Sequence, residues 1–472
     1  MTRYFSLISI CILIFQSCNS ASTHTNKSEG DPKQDSVFMA SYDSNRQWPS
    51  FRGYYASGYL DNVHIPDTWD LASGKNILWK TSIPGLGLSS PAIWEDNIYI
   101  TTAVSENDQD GIKTGIYGEG EPVADESSHE WKVLCINKFS GEIVWERVAC
   151  TGVPEVKRHP KSSHANPSIA INGEYLVAFF GSEGLYCYDL DGNLIWEKDF
   201  GYLLSAPNDY LSAEWEFASS PIIHQESVIV QVDVSNMSFL SSIDIESGKT
   251  IWRTERNDVT GWCTPNIYYN EGKARVATNG YKQRGGYDFE SGEEVWQMSG
   301  GGDVPVPAPI NYKDLIFFNS AHGKHSPIIA MEKTATGTIK FPDEKQVEHV
   351  RWSINRGGAY MHTMLIYKDL LYNMKWNGSL SCYHPETGEL YYKTTVSPGS
   401  FISSPVAADD RIYVISEEGI VYVIEAGTEY NLLNEFPLGE ITLATPAITE
   451  NIIVFRTVKH LIAVSGLSNT DP

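Results

Sequence analysis

One short pattern recurs along the whole chain: a small residue, a proline, two or three apolar residues, a polar turn and a second apolar run. Its copies begin at Pro91, Pro167, Pro221, Pro265, Pro309, Pro405 and Pro446, and Met364 replaces the proline in an eighth copy. Where nothing is inserted, successive copies lie 41–44 residues apart. Four-stranded repeats of about 40–45 residues are typical of β-propeller blades, which bury their faces only by stacking around a ring.

A second pattern, a glycine followed four positions later by an aromatic residue, ends most copies. It occurs at Gly141/Trp145, Gly192/Trp196, Gly248/Trp252, Gly292/Trp296 and Gly388/Tyr392. A proline is tolerated at the first residue of a strand, glycine suits the last turn, and tryptophan offers a large apolar plate to a neighbouring blade. A β-sandwich whose strands resemble one another by chance is the alternative, but it does not generate eight matched openings.

The two ends of the chain predict how the ring closes. The copy at Pro446 leaves enough chain for only three strands, which end at His460–Ser465. A tryptophan-bearing strand, Asn76–Ser82, precedes the first opening. We therefore predict an all-β fold: an eight-bladed β-propeller of four-stranded antiparallel blades, closed by pairing of an N-terminal strand with the C-terminal blade, which removes the open edge.

The N-terminal segment predicts export. Residues 1–18 contain Arg3, an apolar run from Tyr4 to Phe15 and then Ser17-Cys18, which is typical of a secretory signal and too short to span a bilayer. A small residue before Cys18 resembles a lipoprotein cleavage site, whereas the alternative is an ordinary signal cleaved near Ala21. We predict a lipid-anchored envelope protein, in the outer membrane and facing the periplasm or the surface. Its regions are the signal (1–18), a flexible tether (19–46), the propeller (47–467) and a tail (468–472).

Charge and cysteine content exclude several functions. A net charge of −24 argues against nucleic acid and against adhesion to anionic lipid, because both need basic patches. The five cysteines beyond Cys18 form no C-x-x-C pair, and Cys135, Cys187 and Cys382 take the same place in three blades. This placement indicates small buried apolar residues rather than a disulfide framework or a metal site.

Loop lengths indicate which end of the ring carries function. The connections that precede each first strand, or join the second strand to the third, meet at one end, which we call the long-loop face. This face receives every long insertion: Val104–Glu130, Thr151–Asn166, Gly201–Ser220, Met298–Ala308, Ser320–Pro327, Ile339–Met361 and Val396–Ser404. The opposite end, the short-turn face, has only minimal turns. Function on a rigid β scaffold usually lies on such long loops.

Polar and aromatic side chains on these loops are the candidate ligand-binding residues. They are His159, Lys161, His164, Glu214, Trp215, Glu216, Trp262, Asp303, His322, Arg356 and Tyr360, with His362 beside them. Together they predict a site for a polar or carbohydrate ligand. The alternative is structural, because loop backbones also need polar side-chain partners.

The acidic stretch Glu106–Gly111 resembles the start of a calcium loop, but Tyr117 stands where the closing Glu belongs, so a solvated loop is the alternative.

These patterns resemble the pyrroloquinoline-quinone-type propeller repeat family over residues 48–466. The segments WPSFRG, GKNILWKTSIPGLGLSSP, HPKSSHANP, YDLDGNLIWE and SSPIIH are similar to those of bacterial envelope proteins in that family. One relative of the same architecture is the lipoprotein B subunit of the outer-membrane β-barrel assembly machinery, which implies a non-catalytic scaffold for an envelope protein or other ligand. Another branch comprises quinone-dependent dehydrogenases, which implies the alternative of alcohol or sugar oxidation.

The dehydrogenase branch carries features that this sequence lacks. The resemblance implies pyrroloquinoline quinone held under a disulfide of adjacent cysteines, with Ca²⁺ bound by Glu, Asn and Asp. No two cysteines are adjacent here, and neither the calcium ligands nor an aspartate base matches a position of this chain. We therefore predict a binding scaffold without a cofactor and without catalytic residues.

Overall fold

The computed structural model describes residues 44–107, 111–115, 120–123, 125–207, 210–343 and 346–466. In these residues the chain forms eight sheets arranged as a propeller, which confirms the predicted fold class. The helical content described is three single 3₁₀ turns at Ser44–Arg46, Tyr54–Ala56 and Gly181–Glu183. None of the described helices is long and apolar enough to cross a membrane.

The first four blades run from the inner to the outer strand in chain order. Blade 1 is Ala92–Trp94, Asn97–Ser105, His129–Asn137 and Ile143–Gly152; blade 2 is Ala170–Ile171, Tyr175–Phe179, Leu185–Asp189 and Leu194–Lys198. Blade 3 is Ile222–His224, Ser227–Val234, Met237–Asp244 and Thr250–Glu255; blade 4 is Asn266–Asn270, Lys273–Thr278, Arg284–Asp288 and Glu294–Met298. Two-residue polar turns such as that in blade 3 keep neighbouring strands antiparallel.

The remaining blades follow the same order until the last. Blade 5 is Ile310–Tyr312, Leu315–Asn319, Ile328–Glu332 and Val350–Ile354; blade 6 is Leu365–Tyr367, Leu370–Met374, Ser379–Tyr383 and Leu390–Thr395. Blade 7 is Val406–Ala408, Arg411–Ile415, Ile420–Glu425 and Leu432–Pro437; blade 8 is Ala447–Thr449, Ile452–Arg456, His460–Ser465 and, from the N-terminal side, Ile77–Ser82. Strand Ile77–Ser82 pairs antiparallel with His460–Ser465, so the predicted closure is confirmed.

Blade 5 departs from the sequence interpretation of Ile339–Met361 as one long insertion. The fourth strand of this blade, Val350–Ile354, lies inside that stretch. Just before it, Gly337–Ile339 adds in parallel to the outer edge of blade 4. The sequence pattern missed this strand because the chain first runs along the outer edge of blade 4. As a result, no glycine stands four positions before Trp352.

Five of the closing tryptophans dock on the turn of the next blade. Their indole Nε1 donates to a backbone carbonyl of that turn, in the pairs Trp79–Lys138 (2.8 Å), Trp145–Leu190 (3.0 Å), Trp196–Ile245 (2.7 Å), Trp252–Phe289 (2.9 Å) and Trp352–Pro385 (2.7 Å). Trp296 instead donates to the hydroxyl of Tyr268 in its own blade, at 2.9 Å. The docked indole ring lies so close to the turn glycine that a methyl group would not fit, at 2.5 Å in the case of Gly141 and Trp79. The repeated glycine and tryptophan therefore act across successive blades.

Residues 47–60, which we call the arm, pass through the central channel. Arg46 contacts Glu95 and Asp96 in a turn of the short-turn face. The buried Arg52 then donates to the carbonyl oxygens of Met364 (2.7 Å) and Pro405 (2.9 Å), at the opposite ends of the inner strands. The arm therefore enters at the short-turn face and reaches the level of the long loops, a path that the sequence did not predict.

Candidate functional site

A cavity of about 210 Å³ opens at the long-loop face, and all eight blades contribute to it. Its lining, which defines the mouth cavity, comes from the segments that precede the first strands, together with Phe51 of the arm. The residues in the order of the blades are Leu88, Ser90; His159, Lys161, Ser162, Asn166, Ser168; Trp215, Glu216, Ala218, Ser220; Trp262, Thr264; Val304, Val306; Tyr360, Met361, Thr363; Ile402, Ser404; Leu443, Ala444 and Thr445. Since Phe51 belongs to the arm, the arm borders this cavity from the side of the channel.

Seven hydroxyl side chains form a ring around the cavity. Each accepts the backbone N–H of the equivalent residue in the preceding blade, at 2.9–3.2 Å. The acceptors are Ser168, Ser220, Thr264, Thr363, Ser404, Thr445 and Ser90. Blade 5 interrupts the ring, because Ala308 stands at its position. In the sequence, the residues of this ring were visible only as the small residue beside each opening proline.

Aromatic side chains form one wall. The rings of Trp215 and Trp262 lie 5.4 Å apart with an interplanar angle of 31°, and His159 meets Trp215 edge-on at 5.3 Å. The Trp262 indole donates to the carbonyl oxygen of Glu216 at 2.9 Å. Tyr360 packs in the same cluster with Val304 and Ala321. Offset aromatic faces of this kind offer a large, rigid contact surface for a planar or apolar ligand body.

The ionisable groups of the mouth cavity are largely paired with protein partners. Lys161 forms an ion pair with the buried carboxylate of Glu417, which also accepts the N–H of Gly115 at 2.7 Å. Glu216 has one carboxyl oxygen 2.5 Å from Nδ1 of His164, and the other accepts the N–H of Phe217 at 2.9 Å. The sequence analysis singled out Lys161 but missed Glu417, which lies in the turn between the second and third strands of blade 7.

Burial sets the net charge of the Glu216–His164 pair. Desolvation raises the pKa of Glu216 to about 8 and lowers the pKa of His164 to about 3. Burial opposes a separated charge on either partner, so the hydrogen-bonded pair carries no net charge. Glu216 also has a φ of +68°, a left-handed backbone that costs a glutamate about 1 kcal/mol or more. Such strain at a cavity wall is typical of functional positions.

A second buried carboxyl group lies behind Glu216. Glu183 accepts the N–H of Glu155 at 3.1 Å, and its Oε2 has no hydrogen-bond partner in the described part of the chain. Desolvation, followed by the nearby Glu216, raises the pKa of Glu183 to about 9. The sequence held no signal for this pair, because Glu183 follows an ordinary strand of blade 2.

The structure separates the other predicted site residues from the cavity. Glu214 accepts the N–H of Lys157 at 2.7 Å, so it supports a loop. Asp303 and His322 form an exposed pair at 2.6 Å, and Arg356 is exposed beyond the fourth strand of blade 5. Of these residues, His322 lies next to the mouth residue Tyr360, with ring centroids 6.2 Å apart, whereas the hidden strand Val350–Ile354 places Arg356 outside the ring of first strands.

The structure describes only part of the predicted calcium loop, and it does not describe the predicted lipid anchor. Among the described residues, no group of three or more His, Cys, Asp or Glu side chains could hold a metal ion. Positions 108–110 of the acidic stretch Glu106–Gly111, Tyr117 and Cys18 lie outside the described residues. His362 is fully buried beside the cavity wall, and burial lowers its pKa to about 3.

Replacing Glu183 by Gln should stabilise the protein at neutral pH. The folded-state pKa of this carboxyl lies above its unfolded value, so folding requires a proton that the unfolded chain releases above about pH 4.3. Glu183 therefore costs stability increasingly as the pH rises from about 4.3 to about 9. We expect Glu183→Gln to raise the free energy of unfolding by about 3 kcal/mol at pH 7 and by almost nothing at pH 4.

Denaturant titrations of both proteins at pH 4, 5.5, 7 and 8.5 measure this effect. Glu174→Gln, an exposed carboxylate in the same blade, is the matched control and should leave the free energy of unfolding unchanged. A constant difference between wild type and Glu183→Gln across this pH range would contradict the assignment of a buried, protonated carboxyl group.

Solved structures share the fold at low sequence identity. The chain is similar to BamB from Moraxella catarrhalis (15% identity, TM-score 0.51, covering 77% of this chain and 98% of that one). It is also similar to a europium-containing methanol dehydrogenase (11%, 0.60, 91% and 91%) and to quinohemoprotein alcohol dehydrogenase from Comamonas testosteroni (13%, 0.59, 93% and 83%). At these identities the likeness shows the fold alone.

Sequence families give a more specific result. No protein in a search of curated proteins matches the chain. The family model for outer membrane protein assembly factor BamB matches residues 129–300 and 365–465, which together are more than half of the chain. The matched ranges span the blades that carry the glycine and tryptophan signatures. The chain therefore belongs to the family of outer membrane protein assembly factor BamB.

Proposed function

We propose that this protein is a non-catalytic binding scaffold of the cell envelope that receives its partner at the long-loop face. One observation carries the proposal: the segments before all eight first strands converge on one cavity. The short-turn face has one long connection, residues 333–349 of blade 5, and the cavity beside the arm there is lined by blades 4, 5 and 6 only. Rigid aromatic side chains such as Trp215 and Trp262 are the residue types that dominate binding energy in interfaces.

The path of the arm shows at which face the tether of residues 19–46 joins the ring. The described chain begins at Ser44 on the short-turn face, where Arg46 contacts Glu95, Asp96 and Glu450. If Cys18 carries the lipid, the tether of residues 19–46 joins the membrane to this face. The mouth cavity opens at the other end of the ring, so this attachment leaves it accessible to a partner protein or a polar or carbohydrate ligand.

The alternative is a quinoprotein dehydrogenase, since two neighbours of the same fold are alcohol-oxidising enzymes by name. The residues of this mouth cavity do not fit a quinone with calcium. The Glu216 carboxyl is bonded to His164, Lys161 is paired with Glu417, and the sequence has no adjacent cysteines.

Site-specific photo-crosslinking in the native host tests the scaffold proposal. A photoreactive residue at Val306 or Met361 in the mouth cavity should crosslink to one discrete partner. The same residue at Glu386 or Asp410, on the short-turn face, should not. Crosslinks only from the short-turn sites would show that the wrong face was chosen.

Two further experiments test the lipid anchor and the catalytic alternative. Wild type should fractionate with membranes, and Cys18→Ala should be released; a soluble wild type without lipid would overturn the anchor. Pyrroloquinoline quinone and Ca²⁺ added to the purified protein should give no dye-linked oxidation of alcohols or sugars. Turnover in that assay would replace the scaffold with the dehydrogenase.

A further inference from the structure

The hydroxyl ring has unused donors that face the mouth cavity. All seven ring residues line the cavity, and each uses an oxygen lone pair to accept a backbone N–H. Within the described residues, none of these hydroxyls donates its own proton to a protein acceptor. A Ser or Thr hydroxyl that accepts one hydrogen bond can still donate one. The floor of the cavity therefore presents several O–H donors to whatever occupies it.

Two buried guanidinium groups lie directly behind this ring. Arg52 donates to the carbonyls of Met364 and Pro405, the residues that follow ring members Thr363 and Ser404. Arg456 donates to the carbonyl of Ser89 at 2.9 Å, next to ring member Ser90, and to Thr101 at 2.8 Å. Neither guanidinium has a carboxylate partner in the described ranges, and both are almost fully buried.

These two charges dominate the local electrostatics. Burial lowers the pKa of Arg52 and of Arg456 to about 9, so both remain protonated at neutral pH. The Lys161–Glu417 pair cancels, and the Glu216–His164 pair is neutral. A chain with a net charge of −24 thus holds uncompensated positive charge around one cavity. A buried charge without a partner is costly, and an anion in the cavity would offset that cost.

Outside the ring the lining is largely apolar, and His159, Lys161 and Glu216 are its acidic and basic side chains. Trp215, Trp262, Tyr360, Leu443 and Ile402 surround the upper part of the lining. A dry cavity of about 150 Å³ accommodates benzene in an engineered protein. The volume of about 210 Å³ here therefore fits a single aromatic ring with a small head group.

We propose that the mouth cavity binds an amphipathic organic oxyanion, with a carboxylate or sulfonate head at the hydroxyl ring and an aromatic or compact apolar body against Trp215 and Trp262. The inference rests on the proposed function, since it takes the cavity as the ligand site of the scaffold. It names the ligand class: an acceptor-only head matches the converging donors and the positive charge. A neutral sugar also brings donors, and an organic cation is repelled by Arg52 and Arg456.

Calorimetric titration of the full mature chain with small probes tests the proposal. Phenylacetate should bind about tenfold or more tightly than phenylacetamide, because only the carboxylate accepts charge-assisted hydrogen bonds from the ring. Inorganic phosphate, which lacks the apolar body, and glucose should each bind more weakly than phenylacetate. Equal affinity for the acid and the amide, or tighter binding of glucose, would overturn the oxyanion head.

Ring variants separate recognition from folding. Thr363→Val removes one ring hydroxyl at nearly constant shape and should weaken phenylacetate binding about tenfold, whereas Thr363→Ser keeps the hydroxyl and should bind as wild type does. Ser403→Ala is the matched control, since this buried neighbour of Ser404 bonds to Ile415 and does not line the cavity. Unchanged binding by Thr363→Val, with thermal unfolding showing a folded protein, would contradict the role of the ring.

The two proposals fail in different ways. If no carboxylate probe binds while photo-crosslinking from Val306 or Met361 still captures a partner, the oxyanion site is wrong and the scaffold stands. If phenylacetate binds as expected while the mouth gives no crosslink, the cavity is a small-molecule site and the protein-scaffold proposal is wrong.

Discussion

A chain that begins at residue 83 should fail to form a cooperatively folded ring. This truncation removes strand Ile77–Ser82, which pairs with five residues of His460–Ser465, and leaves that strand as an open edge. It also removes Trp79, whose indole docks on the turn of blade 1, and the arm that fills the channel. We expect aggregation, or loss of the unfolding transition, measured by size-exclusion chromatography and thermal unfolding.

Two further variants identify the cause. A chain that begins at residue 44 keeps every described element and should unfold at the wild-type temperature. In a third variant, residues 76–82 follow Gly466 through a short turn, which is feasible because the Ser465 N–H donates to the Asn76 carbonyl at 3.0 Å. This variant should recover a cooperative transition without the arm. If the truncation at residue 83 is as stable as the chain from residue 44, strand closure does not hold the ring.

Gly141→Ala should be among the most destabilising single substitutions in this protein. Gly141 has a φ of +72°, and a Cβ there would lie 2.5 Å from the Trp79 ring and 2.6 Å from Thr81 Oγ1. Trp79 cannot move aside without losing its hydrogen bond to the carbonyl of Lys138. Backbone strain and overpacking together should cost about 2–5 kcal/mol of unfolding free energy.

Gly439→Ala isolates the packing contribution. Gly439 has a φ of +73°, almost the same as Gly141, but nothing lies within 4 Å of its Cβ position. It should therefore lose only about 1–2 kcal/mol, the backbone contribution. Denaturant titrations of both variants give the difference. Equal losses would mean that the tryptophan does not pack against the turn glycine as tightly as the structure indicates.

The strand order and the closure were predictable from the sequence because propeller blades repeat. The Pro openings and the Gly-x-x-x-Trp endings report strand and turn positions that every blade shares, and the orphan strand Asn76–Ser82 had only one place to pair. Blade 5 was the exception. Its fourth strand, Val350–Ile354, follows a detour that breaks the local spacing, so sequence periodicity could not locate it.

The candidate site was predictable only in part. Residues in loops before first strands, such as Lys161, Trp215 and Tyr360, line the cavity because topology alone brings those loops together. Arg356, Asp303 and His322 lie on the same face yet outside the cavity, since loop conformation, not loop order, sets how far a side chain reaches inwards. Three residues at the site had no signal in the sequence. Phe51 lines the cavity, Glu417 pairs with Lys161, and Glu183 lies near Glu216.

What the sequence by itself determined was the architecture: eight repeats of one supersecondary unit can bury their faces only as a closed ring, whatever the loops contain. What only the tertiary structure decided was the chemistry of the centre. The Ser and Thr hydroxyls meet in one ring because seven of the eight blades donate a backbone N–H to a hydroxyl of the next blade. The buried Arg52 reaches that ring because the arm threads the channel. Both depend on contacts between residues as many as 355 positions apart, which no local pattern encodes.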